Sequence, residues 1–521
     1  MRSFFSKLSY PLDRVAIPAI ATLAVMLMAI LLFGKQPAPV VRDFSWQDKV
    51  VGAEDRAFFL NFSRPMDHDA VEKSLSLTAV ISDTDQQRVD GKVSWAGRRM
   101  AYTLLEPAPY GYTYALTLDK AWDRFSDAND PERLLVPFEG SFRTHDRALL
   151  YIGAGGDEEG RLVLYNLTRK EKRILTPETL VVMDYEPYPN GDRVLFSAVE
   201  RSSRDQGLLN QQIYVATTGI ESAAAATAVG ETVGEDDKAS ASFPMDSAVQ
   251  LLLGSDDYQN LKFDLSPSGE VIVVYRVNRN NPSEFGLWIL RIDASGKPTL
   301  APLPSEPGGD FLITPDSQAI AYLQGQGMAL LSLSDDASAE PIDFLPQYGL
   351  VLDFAQDGTA AALVRFDADP ATPTQSLFLV TNQGTERKLL SVPGSILNAK
   401  FSPTGDFLYG IVTERLPGDV YAEQPYLVAV NLETGERRDL LLLPAQPSIK
   451  MSLAPDGLGL LFDQVTTISS SSPSGLRAAD GNVITDSTLW FFPILTDDAG
   501  SPLQADPNKL PVTGFYPQWL P

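Results

Sequence analysis

The sequence predicts a mainly β protein with an N-terminal transmembrane helix, a β-sandwich and a seven-bladed β-propeller closed by the C-terminal strand. Three observations support this prediction. An uncharged apolar run lies near the N-terminus, short alternating strands follow it, and the rest of the chain repeats one turn-and-strand unit. Repeats with a period of roughly 40–50 residues are typical of propeller blades.

Composition excludes several classes of site. A chain of 521 residues exceeds what one hydrophobic core usually serves, so more than one domain is expected. The formal net charge of -25 repels phosphate backbones and argues against general nucleic-acid binding. There is no cysteine, and His68 and His145 are the two histidines, which leaves little material for a thiolate or zinc site or a serine triad. No catalytic, cofactor-binding or metal-binding residue is therefore assigned.

The apolar run is Val15–Gly34, without charge between Arg14 and Lys35. At 1.5 Å per residue, its 20 residues match a hydrocarbon core of roughly 30 Å. Basic residues precede it, so residues 1–14 are expected in the cytoplasm, residues 35–41 form a linker, and the bulk is extracytoplasmic. The prediction is a single-pass protein of the cell membrane that contacts the bilayer through residues 15–34. A cleaved signal peptide is the alternative, although its apolar region is normally shorter.

Residues 42–145 have the pattern of a β-sandwich. Tyr112, Tyr114, Leu116 and Leu118 occupy alternate positions, which places them on one face of a strand. Turn residues separate the strand candidates. The predicted strands are Ala57–Phe62, Lys92–Trp95, Met100–Leu104, Tyr112–Leu118 and Phe138–Phe142.

This region resembles bacterial Ig-like domains of the S-layer SbsA type. The resemblance is carried by FFLNFSRPMD at Phe58–Asp67 and by the strand-rich segment that follows Gly91. It departs from the family pattern at AWDRFSDANDPERL from Ala121, where a short turn is usual. Such modules act mostly as spacers or adhesion units, so the resemblance implies no catalysis.

Residues 146–521 repeat a turn followed by an apolar strand. Proline fixes φ at the start of each turn and glycine supplies positive φ, so the chain reverses into the next strand. A second strand follows each unit, as in QQIYVAT from Gln211. The turns start at Tyr188, Ser266, Thr314, Ala355, Ser402 and Ala454.

A seventh blade is divided between the two ends of this region. Arg147–Leu167 has strands without the preceding turn, and the C-terminal GFYPQWLP has the complementary strand. Joining them closes the ring and leaves no open sheet edge. Counts of six or eight blades would each need one misread unit. Flexible insertions are expected at 218–248 and 466–486, where large apolar residues are few.

The repeats resemble TolB-type, WD40-like bacterial propellers. The best matches are SPTGDFLYG from Ser402, QQIYVAT from Gln211 and FYPQWLP from Phe515. The resemblance implies a propeller fold but no particular activity, because propellers include binding proteins and enzymes.

Other motifs are interpreted as structural. The acidic segments lack the spacing of an EF-hand and are expected to be solvated turns. The sequons at Asn61 and Asn166 are interpreted as chance matches, and the aromatic residues of the second strands as packing. The acidic residues are Asp83, Asp85, Asp90, Asp123–Asp130 and Glu235–Asp237, and the aromatic ones are Tyr214, Trp288, Phe378, Tyr426 and Trp490.

These features predict a non-enzymatic function. The leading hypothesis is a membrane-anchored extracytoplasmic binding or scaffold protein of a bacterial cell envelope, whose propeller loops bind a protein or a glycan. The alternative is an extracytoplasmic propeller enzyme, a hydrolase or lyase acting on polysaccharide or peptide. Clustered carboxylates with arginine or tyrosine on one propeller face would favour the enzyme, and an exposed apolar patch would favour partner binding.

Overall fold

The structure is a computed structural model, and it divides into two compact units. The first unit comprises Met1–Gln47, Ala57–Thr103 and Tyr114–Ser141, and the second comprises Asp48–Arg56, Leu104–Thr113 and Phe142–Pro521. The described residues are 13–33, 38–81, 86–125, 133–220, 249–292, 297–325, 327–334, 340–367, 374–418, 422–446, 448–469, 475–478, 481–497 and 499–521.

The apolar run near the N-terminus forms helix α1, Asp13–Phe33. None of the helices within the described ranges combines the length and the apolarity that crossing a bilayer requires. The predicted transmembrane helix at 15–34, and the single-pass localisation that depended on it, are therefore wrong. Two of the 21 residues of α1, Asp13 and Arg14, are charged. Helix formation needs only local backbone hydrogen bonds, whereas a span needs a sustained apolar length.

Two sheets follow α1. One has the strand order β1-β3-β7-β6 and the other β2-β9-β8-β4-β5. The five strands predicted for this region are all present, and alternating burial along β3, β7 and β8 explains why their sequences revealed them. The strands are β1 (Val41–Phe44), β2 (Val50–Val51), β3 (Ala57–Phe62), β4 (Leu75–Val80), β5 (Gln86–Arg88), β6 (Gly91–Ala96), β7 (Arg99–Leu104), β8 (Thr113–Leu118) and β9 (Phe138–Thr144).

The segment around His68 is helical, and no helix is predicted there from the sequence. Helix α2 runs from His68 to Ser74. Asp67 is its N-cap and accepts a hydrogen bond from the backbone N–H of Ala70 at 2.9 Å. A carboxylate at this position satisfies an amide that has no partner within the helix, so the same residue that favours a turn also starts a helix.

Seven four-stranded antiparallel sheets form the rest of the chain, in agreement with the predicted number of blades. In the second to seventh blades the four strands follow in chain order. The second blade contains β13 (Leu180–Pro187), β14 (Arg193–Glu200), β15 (Gln212–Thr217) and β16 (Val249–Leu253). The third contains β17 (Tyr258–Leu265), β18 (Val271–Asn278), β19 (Phe285–Ile292) and β20 (Pro298–Leu303). The fourth contains β21 (Gly308–Ile313), β22 (Ala319–Gln324), β23 (Gly327–Ser332) and β24 (Asp343–Leu345).

The fifth to seventh blades repeat the arrangement. Their strands are β25 (Leu350–Phe354), β26 (Ala360–Asp367), β27 (Thr374–Thr381) and β28 (Glu386–Val392); β29 (Ile396–Phe401), β30 (Phe407–Arg415), β31 (Glu423–Asn431) and β32 (Arg437–Leu442); and β33 (Met451–Leu453), β34 (Gly459–Ile468), β35 (Val483–Pro493) and β36 (Asn508–Lys509). The hairpin of β34 and β35 extends into the predicted 466–486 loop, because β-branched residues such as Thr467 and Ile484 pair there.

The first blade is assembled from both ends of the repeat region. It contains β10 (Ala148–Gly153), β11 (Leu162–Asn166), β12 (Glu171–Ile174) and the C-terminal β37 (Gly514–Trp519). β37 pairs with β10 in antiparallel register, with Trp519 opposite Leu149 and Gly514 opposite Gly153. The predicted closure by the C-terminal strand is therefore confirmed.

Left-handed residues make the turns between first and second strands. Gly405 has φ +77° and donates its N–H to the carbonyl of Ser402 at 2.9 Å. In the fourth blade Ser317 takes the same place at φ +61°, with its N–H on the carbonyl of Thr314 at 2.9 Å. Glycine reaches this region without the steric cost of a side chain, which is why the recurrent glycine predicted the turn.

Most of the core lies between adjacent blades. Leu195 and Ile213 of the second blade pack with Phe263 and Val274 of the third in one buried cluster. Each blade thus buries both faces against its neighbours, which explains the nearly continuous apolar runs of the second strands.

Candidate functional site

The innermost strand of each blade lines the propeller axis. These seven inner strands are β13, β17, β21, β25, β29, β33 and β37. The inner strands of successive blades contact one another from β17 through β37. They carry a set of buried and half-buried charged residues: Asp184, Glu186, Lys262, Asp264, Asp310, Asp353 and Lys400.

β-Bulges aim this polar set. The register shifts just before Asp184 in β13, Lys262 in β17 and Asp353 in β25. A bulge adds one residue to a strand and so changes the face on which the next side chain points. The alternation of apolar and polar residues is therefore interrupted at equivalent positions of these three inner strands.

Four polar side chains of the inner strands join one blade to the next, and we call these contacts axial bridges. Each accepts a hydrogen bond from a backbone N–H of the following inner strand, which would otherwise be a buried donor without a partner. The bridges are Glu186 Oε2 to Leu265 N at 2.9 Å, Asp264 Oδ2 to Ile313 N at 2.6 Å, Asp353 Oδ2 to Phe401 N at 2.9 Å and Ser452 Oγ to Trp519 N at 3.0 Å.

All four bridging residues stand two positions before the start of a turn. This recurrence is visible in the sequence. It lies before the turns, however, and so outside the turn-and-strand unit by which the repeats are recognised. In the sixth blade the position is Lys400, whose ammonium donates to Asp353 Oδ1 at 2.8 Å. In the fourth blade it is Leu312, whose side chain cannot accept a hydrogen bond.

Burial governs the electrostatics of the axial bridges. Burial, and next the charge of Asp264, raise the pKa of Glu186 well above its usual value. Burial raises the pKa of Asp264 to about 6, while its bond to the Ile313 amide acts in the opposite direction. Asp353 raises the pKa of the Lys400 ammonium. Glu186 and Asp264 therefore hold a proton more readily than exposed carboxyl groups would.

A second group of polar contacts joins the seventh and first blades. The buried carboxylate of Asp463 accepts from the backbone N–H of Lys450 and from that of Tyr516, both at 2.8 Å. Tyr516 has φ +55°, an uncommon conformation for a tyrosine, within the bulge of β37. Its carbonyl accepts from the Tyr185 hydroxyl, and the Lys450 ammonium lies 4.6 Å from its ring centre. Burial raises the pKa of Asp463 to about 6.

The carboxylates of the axial bridges accept hydrogen bonds from backbone N–H groups, so their first chemical role is to hold the blades together. Within the described ranges, no group of three or more His, Asp or Glu side chains is arranged to hold a metal ion. The two histidines are apart from the axial bridges: His68 stacks on Trp95 at 4.2 Å, and His145 packs beside Tyr110. Burial lowers the pKa of His145.

The other candidates from the sequence have structural environments. Asp123 is buried and forms ion pairs with Arg64 at 3.5 Å and Arg133 at 3.6 Å. Asp90 lies on the surface 3.5 Å from Arg88. Asp83, Asp85, residues 126–130 and Glu235–Asp237 lie outside the described residues. Four of the five predicted packing aromatics lie in or against buried clusters, namely Tyr214, Phe378, Tyr426 and Trp490.

Trp288 and the sequon asparagines have partners of their own. The Trp288 ring packs edge-on to Tyr258 at 5.5 Å and faces the Arg276 guanidinium. The side-chain amide of Asn61 donates to Asp43, and that of Asn166 to Asp146, each at 2.9 Å.

An apolar groove lies between the fourth and fifth blades, at the junction where Leu312 stands in place of a bridging residue. Its volume is about 760 Å³. The small side chains of Ala319 and Ala321 of β22 and of Ala361 of β26 leave room between the blades. The other apolar lining residues are Met328, Leu330, Ile342, Leu345, Phe354, Leu363 and Val380.

Three exposed carboxylates, Asp316, Asp343 and Asp357, stand at the edge of this groove. Among the described residues that line it, these three are the charged ones. The alanine-rich strands QAIAYL and TAAALV indicate the groove in the sequence, since small residues face each other there. The sequence alone does not, however, reveal this groove, because the order of the blades decides which strands face each other.

Comparison with known proteins finds distant structural similarities. No family model matches the sequence, and no curated protein matches it. TolB from Acinetobacter baumannii is 11% identical over 83% of this chain and 82% of its own, with a TM-score of 0.36. A protein provisionally described as a 6-phosphogluconolactonase from Bacteroides fragilis is 15% identical, covering 72% and 98%, with a TM-score of 0.41.

An oligogalacturonate lyase in complex with manganese is 11% identical over 58% of this chain and 79% of its own, with a TM-score of 0.39. Similarities this distant carry no argument about function. The propeller assignment rests on the seven closed sheets of the chain itself. TolB is among the similar structures, as the predicted resemblance suggested, whereas the SbsA-type resemblance has no family-model support and stays a prediction.

Proposed function

We propose that the propeller is a non-enzymatic binding module and that a segment of a protein ligand occupies the groove between the fourth and fifth blades. The observation that carries this proposal is an apolar groove with a volume of about 760 Å³. Large apolar cavities with a few polar groups at the edge are the usual form of a ligand site. An apolar floor favours a protein ligand over a glycan, because sugar hydroxyls would lose hydrogen bonds to water there.

The floor of the groove belongs to a core cluster. Met328, Leu363 and Val380 are buried side chains of the cluster that the fourth and fifth blades share. Ile342, by contrast, is 62% exposed at the edge. A ligand side chain in the groove would extend this cluster and cover Ile342, and both changes remove apolar surface from water.

The test is an unbiased selection of displayed peptides on the intact protein. Peptides that bind should lose at least about tenfold in affinity on Ala361→Leu, which fills the groove. Ala301→Leu, on the exposed outer strand β20, is the matched control and should bind normally. Both variants are first checked for an unchanged melting temperature. Selected peptides that bind Ala361→Leu and the parent equally would overturn the proposal.

A second candidate function is an enzyme acting on polysaccharide or peptide, and the raised pKa values of Glu186 and Asp264 favour it. Carboxyl groups with shifted pKa values in a cleft are candidates for general acids. The binding proposal expects no turnover of acidic or neutral polysaccharides or of peptides. Turnover that Glu186→Gln abolishes without loss of stability would establish the enzyme instead.

A further inference from the structure

The edge of the groove carries charge of one sign. Asp316 lies in the turn between β21 and β22, Asp343 begins β24, and Asp357 lies in the turn between β25 and β26. These three elements belong to both blades that form the groove. A segment that enters the groove therefore meets a carboxylate whichever blade it approaches.

Each carboxylate is held by local hydrogen bonds at one oxygen. Asp316 Oδ1 accepts from the Thr314 hydroxyl at 2.6 Å and the Gln318 amide at 3.0 Å. Asp357 Oδ1 accepts from the Thr359 amide at 3.0 Å and its hydroxyl at 2.7 Å. Asp343 Oδ1 accepts from the Phe344 amide at 2.8 Å. These bonds leave the second oxygen of each carboxylate for a donor from a ligand.

The surroundings of Asp357 stabilise its ionised form. The Thr359 hydroxyl and amide lower the pKa of Asp357. Three ordered carboxylates beside an apolar floor have a chemical complement: an apolar stretch flanked by lysine or arginine. The long stems of those residues can also cover exposed apolar surface such as Ile342 while the charge stays in water.

Charge also decides against a second copy of the chain as the occupant. The protein has a formal net charge of -25. Two copies would bring like charges together around the acidic edge, which opposes association. A cationic partner would instead be attracted over a distance set by the ionic strength.

We infer that the groove takes a basic, apolar segment of a protein partner, with its cationic side chains on Asp316, Asp343 and Asp357 and its apolar side chains on the floor. This inference rests on the proposed binding function and adds the chemistry of the partner. It makes charge, in addition to apolar fit, a condition for binding.

The experiment uses four synthetic peptides and the full chain, with fluorescence anisotropy as the measurement. One peptide has an apolar centre flanked by lysines, one has the same centre flanked by glutamates, one has it flanked by serines, and one has a serine centre flanked by lysines. The first should bind at least about tenfold more tightly than the second and the fourth. Its affinity should fall as NaCl rises from about 50 mM to about 500 mM.

Variants assign the effect to the groove. Asp316→Asn, Asp343→Asn and Asp357→Asn together should abolish the preference for lysine over glutamate flanks, and Asp90→Asn, on another surface, should not. Equal binding of lysine- and glutamate-flanked peptides, with loss of both on Ala361→Leu, overturns this inference and leaves the binding function standing. Peptide binding that Ala361→Leu does not change overturns both. Self-association measured by sedimentation would identify a second copy as the occupant and also overturn the inference.

Discussion

Glu186 of the second blade accepts the backbone N–H of Leu265 in the third blade at 2.9 Å. A side chain of one repeat thus satisfies the main chain of the next. The contact needs the acceptor oxygen, whereas burial disfavours the negative charge of the carboxylate, so the oxygen and the charge can be tested separately.

Replacing Glu186 separates the acceptor from its charge. Glu186→Ala leaves the Leu265 amide without its acceptor and should lower the free energy of unfolding by about 1–3 kcal/mol. Glu186→Gln keeps a carbonyl oxygen and removes an ionisation that burial disfavours, so its stability should equal or exceed that of the parent. Urea unfolding at neutral pH measures both. Equal loss in the two variants would show that the carboxylate itself, and not the acceptor, is needed.

The pH dependence of stability should report Asp463. Its pKa in the folded protein is raised from 3.8 to about 6, so the folded state holds the proton more tightly than the unfolded chain does. This group's contribution is therefore fully present below about pH 4 and is lost as the pH rises through about 6. The loss should be on the order of 3 kcal/mol.

Asp463→Asn removes the titration. One of the amides of Lys450 and Tyr516 then loses its acceptor, which lowers stability at every pH. Urea unfolding at pH 4, 5, 6 and 7 compares the slopes of the two proteins. If the decrease between pH 4 and pH 6 is as steep in the variant as in the parent, Asp463 is not the group responsible.

Removing the closing strand should destabilise the propeller. A chain that ends at Leu510 lacks β37 and the side chains of Trp519 and Leu520, which are 5% and 4% exposed. Burial of two large side chains contributes roughly 3–6 kcal/mol, against a typical total of about 5–15 kcal/mol. The edge of β10 would also be open to pairing with other chains.

Calorimetry and sedimentation test the closing strand. The shortened chain should melt at a lower temperature and associate, whereas a chain that lacks only Pro521 should behave as the parent does. An unchanged melting temperature with a monomeric chain would mean that β37 is dispensable. Phe515, which the sequence also assigns to the closing surface, is only half-buried, so Trp519 and Leu520 should account for most of the loss.

Local chemistry fixed the parts of the fold that the sequence predicted. A turn rich in proline and left-handed glycine, followed by an apolar strand, recurs at six positions, and each feature acts within a few residues. The number of blades and the pairing of β37 with β10 followed from counting these units. The span predicted for 15–34 failed because an uncharged run predicts a helix more directly than it predicts a bilayer crossing.

Tertiary structure decided the candidate site. Glu186 and Leu265 are far apart in sequence, and nothing local in either strand shows that one accepts from the other. The groove likewise exists because Ala321 of β22 and Ala361 of β26 meet between two blades, and the two strands belong to different repeats. The sequence therefore determined the repeating unit and its closure, since turns and strand periodicity are local, while the axial bridges and the groove depend on contacts between blades that only the closed ring brings together.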